Sequence, residues 1–158
     1  MNRRSQKGLT TVEFAFIGAL ALLVLFAVIE FGRALFVLNA LSEGTRRGAR
    51  MAAVCPINDP AIAEAAVFNN PGGGANSPII NGLTTADVSL EYLDANGTPL
   101  VNPAGTFILI RYVRVRIVNF QHQMLIPFGS YIFQTPEFAT VLPRESLGIP
   151  RSGVPTPC

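Results

Sequence analysis

The sequence predicts an α+β protein in which a long N-terminal helix, membrane-spanning in its first half, packs by its outer half on a small antiparallel β-sheet. Three observations lead to this prediction. An uncharged apolar run extends from Phe14 to Ile29, a helical pattern without proline continues to Val54, and the apolar period shifts to two after Gly82. With 158 residues, 49% hydrophobic and 14% charged, the chain has room for one ordinary domain in addition to this helix.

The apolar run near the N-terminus is long enough to cross a membrane. About 20 mostly apolar helical residues span the roughly 30 Å of hydrocarbon, and residues 12–31 are the best candidate. Arg3, Arg4 and Lys7 precede the run, so the positive-inside bias keeps the N-terminus in the cytoplasm. A cleaved secretory signal is the alternative, but its apolar region usually holds roughly 7 to 15 residues, and this run is longer.

The helix should continue well beyond the bilayer. A helix over residues 9–54 would be about 69 Å long, twice what spanning requires, so its second half needs a packing partner. Opposite charges three positions apart, at Glu30 with Arg33 and at Glu43 with Arg46, are typical of an exposed helix face.

A column of small side chains marks the outer half of this helix. Ala40, Gly44, Gly48 and Ala52 recur at intervals of four, which would let another backbone approach closely. Each glycine weakens a helix by about 1 kcal/mol relative to alanine, and close packing would compensate for this cost. The alternative is that two glycines merely loosen a helix beside the membrane.

Residues 55–83 form a loop-rich connection with a short helical pattern at 61–68, and residues 84–158 carry the sheet. The predicted strands are residues 88–93, a long strand over 107–120, and a final pair or one interrupted strand over 131–133 and 138–142. In the long strand, Val113, Val115 and Ile117 should face the core, while Arg114 and Arg116 face solvent.

Two cysteines stand at the ends of this outer region. Cys55 lies where the long helix should end, and Cys158 is the last residue of the sequence. In an oxidising compartment they could form a disulfide that ties the tail to the helix end. The alternative is two unrelated thiols.

Residues that carry chemistry are scarce, and we expect no catalytic residue, no metal site and no cofactor. The single histidine, His122, has no acid or cysteine near it in sequence, which predicts a solvated loop residue. Arg111, Arg114 and Arg116 could bind an anionic partner, but a net charge of +2 argues against nucleic acid. An envelope enzyme would require these residues and His122 to converge on a pocket.

A carboxylate at the start of the apolar run points to a specific class of membrane protein. The segment Gly8-Leu9-Thr10-Thr11-Val12-Glu13-Phe14 resembles the processing site of type IV prepilins, in which a short basic leader ends in glycine and the fifth mature residue is glutamate. The resemblance implies cleavage by a prepilin peptidase between Gly8 and Leu9. It also implies that Glu13, followed by Phe14, pairs with the free amine of a neighbouring subunit's first residue during assembly.

More narrowly, the N-terminal stretch "GLTTVEFAFIGALALLVLFAVIEFGRALF" resembles TadE-like proteins, minor pseudopilins of the tight-adherence (Flp, type IVc) pilus system. The leader glycine, the "VEFA" segment and the later region with Glu30 and Gly32 carry this resemblance. A TadF-like protein is the sister alternative. The resemblance makes residues 1–8 a leader and residues 9–54 the transmembrane and extended helix.

From this resemblance we expect a non-enzymatic subunit in the bacterial inner membrane, with one span, a cytoplasmic N-terminus and a periplasmic C-terminal region. It would be part of the pilus or of its assembly machinery and would support surface adhesion. Its partners would be the inner membrane, prepilin peptidase, other pilins and pseudopilins, and the assembly platform. The competing hypothesis is a permanently anchored envelope domain that binds a ligand or scaffolds another complex and keeps residues 1–8.

Overall fold

The structure, a computed structural model, describes residues 7–126, 129–149, 153 and 158; for residues 7–9, 126 and 130 it describes the backbone alone. In this part of the chain a long helix, α1 (Lys7–Val54), precedes a short one, α2 (Pro60–Ala66). The strands that follow are β1 (Val88–Leu93), β2 (Tyr112–Ile117), β3 (Gln121–Ile126), β4 (Gly129–Gln134) and β5 (Phe138–Pro143). The predicted α+β class, a long apolar helix with a small antiparallel sheet, is confirmed.

The two halves of α1 have different surroundings. From Thr10 to Ile29 every residue except Gly18 is exposed, whereas the outer half buries one stripe at spacings of three and four. The buried stripe consists of Val37, Leu41, Gly44, Thr45, Gly48, Ala49, Ala52 and Ala53. At 1.5 Å per residue the 48 residues extend for about 72 Å, more than twice the thickness of the hydrocarbon core.

A three-stranded antiparallel sheet covers this stripe, with β2 between β1 and β5. Along β2 the side chains alternate as predicted, so that Val113, Val115 and Ile117 are buried while Arg114 and Arg116 are half-buried on the opposite face. Both arginines form ion pairs with Glu91, which lies opposite Arg114 in the register. The core therefore lies between α1, α2 and the inner face of the sheet.

The single long strand predicted over residues 107–120 is wrong. Residues Phe107–Leu109 form a 3-10 turn, β2 ends at Ile117, and β3 begins at Gln121. Asn119 has a φ of 59°, and this left-handed residue turns the chain out of the first sheet. The next strand, β3, pairs with β4 as a separate two-stranded hairpin.

The outer end of α1 is covered by the segment that follows β5. The backbone N–H groups of Glu145 and Leu147 donate to the Ala53 carbonyl, and that of Gly148 donates to the Val54 carbonyl. These bonds satisfy acceptors that a helix C-terminus leaves without intrahelical partners. Leu147 of this segment is buried in the same core as Ala53, so the contact combines hydrogen bonds with apolar packing.

Candidate assembly surface and polar cluster

The N-terminal half of α1 presents a continuous apolar surface. Phe14 is 77% exposed, Glu13 is exposed beside it, and Gly8 and Leu9 lie in the first turns of the same helix. The rest of the chain buries no residue of the most apolar stretch of α1. This stretch is long and apolar enough to cross a membrane. Such a surface requires lipid or other helices as its surroundings. Residues 1–6, most of the predicted leader, lie outside the described residues.

The column of small side chains contacts α2 of the same chain. A Cβ added to Gly44 would lie 2.4 Å from the Ala66 carbonyl oxygen, and one added to Gly48 would lie 2.8 Å from the Ala66 Cβ. Ala52 is fully buried, while Ala40 is half-buried at the edge of the column. The absence of side chains at the two glycines thus lets the end of α2 lie directly on α1.

The short helix α2 is well defined by its own sequence. Asp59 caps it by accepting a hydrogen bond from the Ala61 N–H, and Pro60 occupies the first helical position, where its missing N–H costs nothing. This helix buries Ala61, Ile62, Ala65 and Ala66, and its Ile62 and Ala66 belong to the core shared with α1 and the sheet. The sequence predicts a short helix here but gives no sign that it is the partner of the glycines.

A polar cluster lies where α1 meets the β3–β4 hairpin. The Arg33 guanidinium donates to both carboxylate oxygens of Glu30, at 3.1 Å from Nε and 2.7 Å from Nη2. The same Nη2 also donates to the Gln123 carbonyl on β3. Bidentate pairing of this kind fixes the orientation of both groups, so Arg33 joins the helix to the hairpin.

Two predictions about this cluster are wrong. His122 is not a solvated loop residue: it lies on β3, is 6% exposed, and has its Nε2 3.7 Å from Glu30 Oε1. Glu30 is not on an exposed helix face either, since the hairpin leaves it only 8% exposed. Burial lowers the pKa of His122, and the Arg33 guanidinium lowers it further, while Glu30 acts in the opposite direction.

His122 Nε2 has no hydrogen-bond partner among the residues that the structure describes. Its pKa below the usual range means that the imidazole is neutral in the fold at neutral pH. A sequence signal for its burial exists, because His122 and Met124 alternate with exposed Gln121 and Gln123 along β3.

The hairpin itself exposes several large apolar side chains. Leu125 and Ile132 are each 67% exposed, Tyr131 is 62% exposed and Phe133 is 46% exposed. An apolar cleft of about 360 Å³ lies between the hairpin and the apolar half of α1, and Leu23 and Leu125 are among the residues that line it.

The cysteines and the basic strand complete the set of predicted residues. Cys55 and Cys158 form a disulfide, with Cα atoms 5.7 Å apart, and Cys55 is fully buried at the end of α1. Arg114 and Arg116 are paired with carboxylates, and Arg111 is exposed just before β2. Within the described part of the chain, no three side chains of His, Cys, Asp or Glu converge as metal ligands would.

Comparison with known proteins adds one finding. Residues 8–50 match the family model described as TadE-like protein, which confirms the resemblance drawn from the N-terminal sequence. The match ends within the outer half of α1, before α2 and the sheet. No curated protein and no solved structure matches the chain.

Proposed function

We propose that this chain, similar to TadE-like proteins over residues 8–50, is a minor pseudopilin of a Tad-type pilus, with a structural and assembly role and no enzymatic one. One observation carries the proposal. The matched residues include the whole exposed apolar half of α1, which needs surroundings that the rest of this chain does not provide. A bilayer would provide them before assembly, and the helices of other pilins would provide them afterwards.

Glu13 supports the same role. Its carboxylate is exposed at the start of the apolar surface, where an acid is costly in hydrocarbon unless it reaches the headgroups or an opposite charge. Cleavage between Gly8 and Leu9 would create a free α-amine, and in a helix bundle Glu13 of one subunit would pair with the amine of the next. Phe14 would pack beside this pair.

The outer domain would select partners. On this proposal the protein sits in the bacterial inner membrane with a cytoplasmic N-terminus, and its sheet region is periplasmic. Prepilin peptidase, the assembly platform and other pilins and pseudopilins would be its partners, and surface adhesion would depend on the assembled pilus. The Cys55–Cys158 disulfide is consistent with an oxidising compartment.

The first test is N-terminal and intact-mass analysis of the chain expressed with and without a prepilin peptidase. We expect a new N-terminus at Leu9 that appears only with the peptidase. A Gly8→Leu variant should stay uncleaved, whereas Gly18→Leu, a matched change at a glycine with nothing within 4 Å, should be cleaved normally. A chain that keeps Met1 in both conditions would favour the permanently anchored envelope domain.

The second test addresses assembly. Glu13→Gln removes the charge at nearly constant shape, so we expect normal membrane insertion but loss of co-purifying pilins and of surface attachment. Glu43→Gln is the matched control, because Glu43 is an exposed acid on the outer half of the same helix. Unchanged co-purification in the Glu13 variant would refute the role assigned to this carboxylate.

A further inference from the structure

The β3–β4 hairpin is attached to α1 at the level where the apolar run ends. Glu30 and Arg33 are the first charged residues after Phe14–Ile29, and Arg33 holds the β3 backbone through the Gln123 carbonyl. The hairpin does not pair with the three-stranded sheet, so this contact with the helix sets its position. Its location along α1 is therefore fixed relative to the membrane-spanning segment.

The hairpin also extends back along the membrane-spanning segment. Met124 and Leu125 line the apolar cleft together with Leu23 and Phe26, which belong to the uncharged run. Leu23 precedes the end of the candidate span at Phe31 by eight residues, or about 12 Å of helix. A bilayer that surrounds the uncharged run consequently reaches Met124 and Leu125 on β3.

The exposed apolar side chains lie on both faces of the hairpin. In the register His122 is opposite Phe133, and Gln123 is opposite Ile132, so Phe133 and Ile132 point to opposite faces. Ile132 is 67% exposed and Phe133 46% exposed. A folded protein partner packs most simply against one face, whereas lipid surrounds both.

We propose that the β3–β4 hairpin is an interfacial membrane anchor, which binds the lipid surface of the leaflet where α1 leaves the bilayer. In the register Leu125 and Tyr131 lie nearest the membrane-spanning segment and contact the boundary between headgroups and acyl chains, while Ile132 and Phe133 lie farther out among the headgroups, a region where aromatic side chains are favoured. Deep insertion is excluded because the outer edges of a two-stranded hairpin carry backbone groups that hydrocarbon cannot satisfy. This proposal is independent of the role in a pilus and applies equally to a permanently anchored protein.

The anchor would fix the outer domain close to the membrane. A helix alone permits rotation about its axis and changes in tilt, whereas a second apolar contact beside the helix restricts both. The ion pair between buried Glu30 and half-buried Arg33 then connects the two membrane contacts at the boundary.

Fluorescence of the full-length protein tests the proposal, because the chain contains no tryptophan. Single-tryptophan variants Ile132→Trp and Tyr131→Trp would be reconstituted in phosphatidylcholine and phosphatidylglycerol vesicles, with and without lipids brominated on the upper acyl carbons. Phe26→Trp serves as the membrane reference. Val101→Trp serves as the solvent reference, since Val101 is fully exposed on the loop between β1 and β2.

We expect the two hairpin variants to show blue-shifted emission, most of which brominated lipid quenches, as in the Phe26 variant and unlike the Val101 variant. Emission like that of the Val101 variant at both hairpin positions would overturn the proposal. A blue shift that brominated lipid does not quench, and that grows with the protein-to-lipid ratio, would also overturn it and would identify a second copy of the chain as the occupant.

Discussion

Replacing Gly44 with alanine should loosen α2 from α1. The structure leaves no room for a methyl group at this position, because the end of α2 lies directly on the glycine. The same substitution at Gly32, also on α1, meets nothing within 4 Å and serves as the matched control. The comparison separates the effect of packing from the effect of helix propensity.

The size of the effect follows from the contact. The new Cβ would lie 2.4 Å from the Ala66 carbonyl oxygen, 1.0 Å short of the 3.4 Å at which ordinary contact begins. Since that oxygen belongs to the backbone, α2 itself must shift. Overpacking costs roughly 1 to 3 kcal/mol, and a backbone clash belongs in the upper part of this range. Removal of a helix glycine returns about 1 kcal/mol, which leaves a net loss of about 1 to 2 kcal/mol.

Thermal unfolding of the full-length protein in detergent, followed by near-ultraviolet circular dichroism, measures this loss. For a protein of this size, 1 to 2 kcal/mol lowers Tm by roughly 2 to 8 °C. Gly32→Ala should leave Tm unchanged or raise it slightly. A Gly44→Ala protein as stable as the Gly32→Ala protein would refute the packing of α2 on the glycine.

Three further predictions concern the outer domain. Cys158→Ser removes the Cys55–Cys158 disulfide, which closes a loop with a sequence separation of 103, and should lower the free energy of unfolding in urea by about 2 to 4 kcal/mol. Dithiothreitol should destabilise the wild type but not this variant. Because the pKa of His122 is lowered in the fold, the unfolded chain binds more protons below about pH 6.5, so the free energy of unfolding should fall as the pH falls below this value. In His122→Gln, the free energy of unfolding in urea should depend less on pH between roughly pH 7.5 and 5.5. An unchanged pH dependence in this variant would contradict the prediction. Glu91→Gln weakens the ion pairs to Arg114 and Arg116. Because these side chains are partly exposed, the free energy of unfolding in urea should fall by only about 1 kcal/mol. A decrease several times larger would mean that the pairs are effectively buried.

The sequence predicts local elements well where a single periodicity dominates. The apolar run and the proline-free pattern predict α1, because both depend on residues close to one another in the chain. The alternation at Val113, Val115 and Ile117 predicts β2 for the same reason. The extent of the strand is not predicted, because the apolar pattern shows neither the 3-10 turn at Phe107–Leu109 nor the left-handed Asn119 between β2 and β3.

The polar cluster could not be predicted from neighbouring residues. Glu30 and His122 are 92 positions apart, and the ion pair between Glu30 and Arg33 has the spacing of any exposed helical pair. Only the fold brings β3 over this turn of the helix and buries Glu30 and His122. In the same way, the small-residue column predicts a close partner, but which backbone approaches it depends on the chain reversal between α1 and α2.

The closure of the end of α1 by residues 145–149 has a consequence for the order of folding. The acceptors at Ala53 and Val54 find their donors about 90 residues later in the chain, and β5 joins β2 only from residue 138 onward. Contacts between such distant segments form slowly, because a long loop must be ordered before they contribute. Until β5 joins the sheet, the part of the α1 stripe that β5 covers therefore stays exposed, although α2 already packs on Gly44 and Gly48, and exposed apolar surface of this kind makes the incomplete fold prone to aggregation.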